Sequence, residues 1–320
     1  MDRDSNVVTH GAPVLVTGGA GFIGSHLAEV LVEAGAQVTV VDNLATGATG
    51  NLAGLGSQIR LIVGDVGELL RLKRLHVSDY ACIFHLAGNP YIPPSVENPA
   101  YDLRENLLNT FNLLETIREA SERPKLISAS SAAVYGNPVR LPISETDPTV
   151  PISPYGVSKL AGERYLAVYS QLYDIPAVSM RFFSVYGPRQ KKQVVYDLLR
   201  KIEANPNDIE VYGDGTQTRD FAYVNDVARA LLLAAERAPG RGEAYNVASG
   251  ATYSIGQLVT TLCEVCGVTP RIHYTGSVRP GDADRWEVDM QRLTELGFVP
   301  QTSLHAGLAA IKDWYDGLEG

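Results

Sequence analysis

Cysteine is scarce. The 320-residue chain carries three, Cys82, Cys263 and Cys266, too few for a disulfide framework and in keeping with a reducing compartment. Cys263 and Cys266 form a CxxC, but with no second pair and no neighbouring histidine it makes no zinc set, and its surroundings read as a packed helix. No metal site is expected. Long apolar runs are missing too, since nothing approaches the roughly 18 consecutive residues of a spanning helix. Met1 to Asn6 carry acids where a secretory leader carries bases, so a cytoplasmic protein with no membrane contact is expected. Basic residues are in deficit, with 27 Lys and Arg against 36 Asp and Glu and a formal charge of −9. That balance argues against a nucleic-acid surface, which needs clustered cations, but leaves room for a small anionic ligand held by a few local ones. No internal repeat or low-complexity tract is present.

What the chain has is 45% hydrophobic and 20% charged residues, enough for one large α/β domain with a smaller lobe. Val14 to Thr17 is a β-branched run that ends in Gly18-Gly19-Ala20-Gly21-Phe22-Ile23-Gly24. From there Ile23, Leu27, Val30 and Leu31 recur at helical spacing. Strand, glycine turn and helix together form a dinucleotide cradle: Gly18 permits the turn, Gly21 the approach of a pyrophosphate, and Gly24 the packing of helix on sheet. The next strand, Val38 to Val41, ends at Asp42, whose carboxylate suits two ribose hydroxyls and repels a 2′-phosphate, favouring NAD over NADP.

Further strands are expected at 60–63, before Gly64-Asp65-Val66 at the adenine end, and at 80–86, before the small-residue corner Ala87-Gly88-Asn89-Pro90. A helix over 102–120, a fifth strand at 125–128 with Ser131 just past it, a Pro-rich loop over 138–154, a helix over 155–173 and a sixth strand at 177–181 follow. The reading is a doubly wound parallel sheet of Rossmann type, its six-stranded core within residues 1–181, with 182–320 mainly a substrate-binding lobe. Helices over 225–237 and 254–266, both expected to pack back on the larger domain, and 304–315 complete the chain. Arg219 and Arg279 are placed in Gly- and Asp-flanked loops, where composition alone makes them solvated surface residues.

The chemistry gathers in Ser130-Ser131-Ala132-Ala133-Val134-Tyr135-Gly136 and Tyr155-Gly156-Val157-Ser158-Lys159. Tyr155 and Lys159 share a helix face, and an ammonium beside a phenol favours the phenolate, a usable base if its pKa is brought down from about 10.

These motifs, with Val41-Asp42-Asn43-Leu44, His85-Leu86-Ala87-Gly88, the Arg181-to-Arg189 segment, Gly213 to Phe221 and Arg279-Pro280-Gly281-Asp282, cover residues 13–316. In their order they resemble the extended short-chain dehydrogenase/reductase family, within it the NAD-dependent nucleotide-sugar epimerases and dehydratases. The resemblance implies a catalytic trio of Ser131, Tyr155 and Lys159. NAD would be held by Gly18, Gly21, Phe22, Ile23, Gly24, Asp42, Asn43, Asp65, Val66, Leu86 and Ala87 together with Tyr155 and Lys159. A UDP-sugar would be held by Arg219, Arg279 and Asp282 at its nucleoside diphosphate, with Ser184 toward the nucleotide or diphosphate, Ser131, Tyr155 and Trp286 at the sugar, and Asn106 lining the site near the ring or its supports.

Within that family the dehydratases follow the Ser131 position with an Asp-Glu pair, and the decarboxylases keep a Glu at the second of these positions. Ala132 and Ala133 transfer no proton. Trp286 stands where the 4-epimerases gate the C2 substituent, and its bulk favours UDP-glucose and UDP-galactose over N-acetylated sugars. Ser184 replaces the usual Asn with a shorter donor and acceptor. Lys191 and Lys192 read as a solvated helix start but keep UDP-glucuronate 4-epimerisation open. The helices near 102–120 and 153–173 resemble the family's dimer-forming pair, so a homodimer is expected. A non-catalytic NAD-binding scaffold is the alternative of another class.

Overall fold

The computed structural model describes residue 8 and residues 11–277 and 285–318. In chain order, β1 (Pro13–Thr17), α1 (Phe22–Glu33), β2 (Gln37–Asp42), β3 (Ile59–Val63), α2 (Val66–Arg71) and β4 (Cys82–His85) lay down the first half of a sheet. After α3 (Ile92–Glu97), a long helix begins as α4 (Pro99–Asp102), passes through a π-helical turn at Leu103–Leu108, and continues as α5 (Asn109–Glu119). β5 (Lys125–Ser131), α6 (Pro154–Tyr173) and β6 (Ala177–Phe182) extend the sheet. There follow β7 (Ser184–Tyr186), α7 (Gln193–Ala204), β8 (Asp208–Val211), β9 (Thr218–Tyr223) and α8 (Val224–Arg237). The chain continues through β10 (Arg241–Val247), β11 (Thr252–Ser254), α9 (Ile255–Cys266), β12 (Arg271–Tyr274), α10 (Gln291–Glu295) and α11 (Leu304–Asp316).

The main sheet has seven parallel strands in the order β10-β6-β5-β4-β1-β2-β3. Strand order reverses between β1 and β4, and a crevice opens there at the strands' carboxyl ends. The expected six strands are all present, but they do not complete the sheet. The seventh, β10, comes from beyond residue 182 and pairs with β6, so the second half of the chain returns to the large sheet before the smaller lobe is finished.

Alternation along each strand sorts the apolar side chains into two layers. Val14 and Val16 face a layer with Leu27, Leu31, Val227 and Leu231, so α1 and α8 cover one side, whereas Leu15 meets Leu113, Leu114, Ile117 and Leu166 of α5 and α6 on the other. α8 packs on the larger sheet, whereas α9, expected to do the same, turns its apolar face to a separate core. The smaller lobe has its own core of Leu198, Leu199, Leu258, Leu262, Leu308 and Ile311, from α7, α9 and α11. Cys263 is buried in it and Cys266 is half-buried. No described helix is long and apolar enough to cross a membrane.

Candidate active site

The glycine turn is built as its spacing predicts. Gly18 has φ +70°, and a Cβ there would lie 2.7 Å from the amide nitrogen of Ala87, so β1 and the turn after β4 touch through a glycine. A Cβ at Gly24 would strike the carbonyl of Gly18, which presses α1 against the turn. A Cβ at Gly21, by contrast, would meet only the Gly18 carbonyl oxygen, at 3.1 Å. Gly21 caps α1 without a side-chain bond and no acid sits in the first turn, so the helix presents its N-terminal amides and dipole toward the crevice. Phe22 and Ile23 pack against the core and anchor that turn.

Asp42, buried at the end of β2, accepts from the Ala20 amide at 2.9 Å through one oxygen and from the Leu44 amide at 2.8 Å through the other. Each oxygen keeps a lone pair, and the carboxylate is held rigidly at the rim of the turn. Asn43 is exposed and accepts from Ala45. Asp65 caps α2 by accepting from Glu68 at 2.9 Å, and the Val66 side chain points into the core. Leu86 packs against the core, and the amide of Ala87 donates to the Thr17 hydroxyl. These residues fit an adenosine dinucleotide: a pinned carboxylate, an open glycine and an uncapped helix end converge where the strand order reverses.

Ser131 is the last residue of β5 rather than a residue beyond it, and its hydroxyl accepts from the Ala133 amide at 3.2 Å. Tyr155 lies in the first turn of α6, which Ser153 caps, and its own amide donates to the Ser95 hydroxyl at 3.2 Å. Ser131 and Tyr155 are brought together: burial pushes the phenol up to about 12, and a hydrogen bond with Ser131 opposes that rise. Lys159, one turn on, donates to the Ala129 carbonyl at 3.2 Å, with its ammonium 5.8 Å from the centre of the Tyr155 ring. Burial lowers its pKa to about 8, against the pull of Asp102 and Glu163. The expected lowering of the phenol by its lysine is therefore not what the isolated chain shows. Desolvation is the largest influence on the phenol, and Lys159 is not among the groups that lower it.

Behind the trio stand buried supports that motif spacing did not reveal. Glu163, two turns beyond Tyr155, receives two bonds from Arg181, at 2.9 and 2.7 Å, and one from Ser130 at 2.5 Å. Arg181 also donates to the Tyr135 hydroxyl, which donates to Asn246 of β10. The helix carrying Tyr155 and Lys159 is thereby tied to β5, β6 and β10. A second chain runs under the glycine turn. Thr110 donates to the Asn106 carbonyl, so the bond between Thr110 and the His85 Nε2, at 3.1 Å, has the imidazole as donor. Its Nδ1 then accepts from Thr17 at 2.8 Å. Asn106, expected to line the site near the sugar ring or its supports, is 2% exposed and bonded to Asp102 and to the Asn89 carbonyl, the place of a support.

Ser131 opens into a cleft of about 150 Å³. Ala132, Ala133, Ile92, Phe183, Ser184, Arg219 and Trp286 are among its walls. Arg219, expected in a loop, lies on β9, which pairs with β7, and it lines the cleft together with Ser184. Trp286 meets Phe183 edge-on at 5.6 Å. Bonds from Ile143 to Glu287 at 2.7 Å and from Asp289 to Ile143 at 2.9 Å stitch the Pro-rich loop to the Trp286 segment. Arg279 and Asp282 lie outside the described residues. Among the described residues no group of three or more His, Cys, Asp or Glu is placed to hold a metal.

A parallel sheet with a glycine turn at its switch point, and a Ser-Tyr-Lys set beside it, defines a dinucleotide-dependent enzyme of the extended short-chain dehydrogenase/reductase class. Residues 14–248 match the NAD dependent epimerase/dehydratase family, and the chain belongs to it. It is 35% identical over 305 residues to a putative UDP-glucose 4-epimerase of Methanocaldococcus jannaschii, covering 94% of this chain and 97% of that one. It also superimposes on the UDP-N-acetylglucosamine 4-epimerase of Methanobrevibacter ruminantium in complex with UDP-N-acetylmuramic acid. There the TM-score is 0.89 and the identity 30%, over 97% of this chain and 100% of that one. The UDP-glucuronic acid 4-epimerase of Bacillus cereus, solved with UDP-glucuronic acid and NAD, gives 0.86 and 33%, over 96% and 99%.

Proposed function

We propose that the protein is an NAD-dependent nucleotide-sugar 4-epimerase that interconverts UDP-glucose and UDP-galactose through a transient 4-keto sugar. The observation that carries this reading is a cleft in which Ser131 is followed by Ala132 and Ala133, with Tyr155 close enough to Ser131 to be influenced by its hydroxyl and Trp286 in the wall. A proton can be taken at one oxygen, and neither alanine can move a second, as dehydration at C5 and C6 would require. NAD, when bound, supplies a reversible two-electron acceptor and a fixed positive charge. Tyr155 takes the proton of the 4-hydroxyl, Ser131 holds that oxygen by a hydrogen bond, and Lys159 stabilises the phenolate. Arg219 of the described residues, with Arg279 and Asp282, anchors the diphosphate. Turning the keto ring about that anchor presents its other face, so that the hydride lent to NAD would return to C4 from the opposite side and invert it, while Tyr155 returns the proton to the oxygen.

A carboxylated sugar is the second reading. The Lys192 ammonium stands 4.4 Å from the centre of the Tyr91 ring, next to Ile92 of the cleft wall, where a C6 carboxylate would find a cation. UDP-N-acetylglucosamine fits less well because Trp286 fills the volume an acetamide needs. The intact trio counts against a non-catalytic scaffold. The test is a panel of UDP- and dTDP-linked glucose, galactose, glucuronate and N-acetylglucosamine, supplied with NAD and followed by NMR at C4. Inversion of the neutral hexoses is expected, preference for glucuronate would shift the assignment to the second reading, and no inversion with any sugar would overturn both.

The proposed assembly is a homodimer. Val157, Val168 and Leu172 of α6 are 54%, 47% and 67% exposed, and with Leu108, 44% exposed, they leave an apolar face on the α5–α6 pair. Sedimentation at micromolar concentration should give two chains per particle, and a one-chain particle would remove the proposal.

A further inference from the structure

Asp102 closes the corner beneath the reacting groups and is 0% exposed. Its Oδ1 accepts from the Asn89 amide at 2.8 Å and from the Asn106 amide at 2.7 Å. Its Oδ2 is buried and, among the described residues, has no hydrogen-bond partner, and the same holds for the Oδ1 of Asn106. A Cβ at Gly88 would lie 2.5 Å from that Asn106 oxygen and 3.6 Å from the Lys159 ammonium. One of these unmet acceptors, the Asn106 oxygen, therefore shares the space under Gly88 with the buried Lys159 cation, and Asp102 is bonded to that same asparagine side chain. Burying a carboxylate with half its capacity unmet costs free energy unless a nearby positive charge offsets it.

We propose that Asp102 is a positioning residue of the Tyr155 and Lys159 pair: its charge holds Lys159 as an ammonium, and its bonds to Asn89 and Asn106 fix the corner under the glycine turn. The inference rests on the reading of Tyr155 as the base. The titratable groups that feel Asp102 are Lys159 and Tyr155 of α6 and Tyr101 beside it, while Glu163 of α6 and His85 at the end of β4 interact with Lys159. Asp102 raises Lys159, which burial draws down to about 8, and it raises Tyr155 as well. Glu163 raises Lys159, and His85 is held neutral by burial and by Lys159.

The test is the pH profile of kcat in Asp102→Asn, whose amide oxygen still accepts both asparagine bonds while the charge is gone. The acid limb reports Tyr155 losing its proton and the alkaline limb Lys159 losing its own. Removing the charge lowers both pKa values, so both limbs should slide to lower pH, by about one unit. A merely structural role would lower the amplitude and leave the limbs in place, and unmoved limbs overturn the proposal. If the variant does not fold, the wild-type protein serves, labelled with carbon-13 at its aspartate carboxyls and titrated without substrate. The Asp102 resonance, assigned through contacts of its β protons with the Asn106 amide, should step as Lys159 titrates and lose that step in Lys159→Met. A resonance that ignores Lys159 overturns the proposal. This titration needs no turnover, so failure of the wild type on every sugar nucleotide would strike the functional reading and leave this one to be decided separately.

Discussion

The Lys159 ammonium lies 5.8 Å from the centre of the Tyr155 ring, and burial displaces both groups in the direction that suppresses charge, the phenol up to about 12 and the ammonium down to about 8. At pH 7 a phenol so displaced stays protonated. The pair is a base in waiting. A positive charge brought against it, as oxidised NAD would bring, favours the phenolate, so the pH difference spectrum of tyrosinate should show one tyrosine ionising at lower pH when NAD is added. Tyr155→Phe should bind NAD, lack that titration and lose turnover by roughly 10²- to 10⁴-fold. A variant with unchanged turnover would remove Tyr155 as the base.

Trp286 gives the cleft its size. It packs edge-on against Phe183 and is tied by its amide to the Thr218 carbonyl at 3.2 Å, so the ring is braced rather than free to swing aside. Trp286→Ala should raise kcat/KM for UDP-N-acetylglucosamine relative to UDP-glucose by roughly tenfold or more. A ratio that does not move would show that the C2 substituent is read elsewhere.

Legibility in the sequence followed how local each signal was. The glycine turn, Asp42 and the Tyr155 helix rest on neighbours a few residues apart, and each stands where spacing put it. β10 was not legible because Arg241 to Val247 opens exposed and half-polar at the sheet edge, with only β6 beside it. Arg219 read as a loop residue because Gly213 to Gly215 punctuate the chain just before a short strand that exists only by pairing with β7 and β11. The Asp102-to-Asn106 bond spans a π-helical turn, and in sequence those residues look like the polar face of an ordinary helix. Glu163 was within reach of the sequence, four residues past Lys159 on the same face, but its partner Arg181 is supplied by another strand.

The Glu163–Arg181 pair is the most enclosed ion pair near the site, with side chains 6% and 4% exposed. Buried pairs of this kind are costly to halve, because the survivor keeps its charge without its counter-ion. Glu163→Ala strands Arg181 and frees the Ser130 hydroxyl, and should lower unfolding stability by about 3–5 kcal/mol in denaturant titration. The double replacement Glu163→Met with Arg181→Met should recover much of that loss. If the single variant were as stable as the wild type, the brace between α6 and the sheet would have to lie elsewhere.

His85 supplies the pH test of the support under the glycine turn. Its imidazole donates to Thr110, accepts from Thr17, and is held neutral because burial lowers its pKa from 6.5 to about 3. Between those two values the unfolded chain binds a proton at this residue and the folded chain does not. Stability must therefore fall as the pH drops through that window, by about 1.4 kcal/mol per unit from this group, with no contribution above it. Other groups titrate in the same range, so the informative quantity is the difference between the wild type and His85→Gln, whose amide can still donate and accept. The variant should be the less stable at pH 7.5 and should close the gap steadily as the pH falls below 6.5. A gap that stays constant would mean that the imidazole protonates inside the fold, and the bond from Thr17 could not then be made to a neutral ring nitrogen.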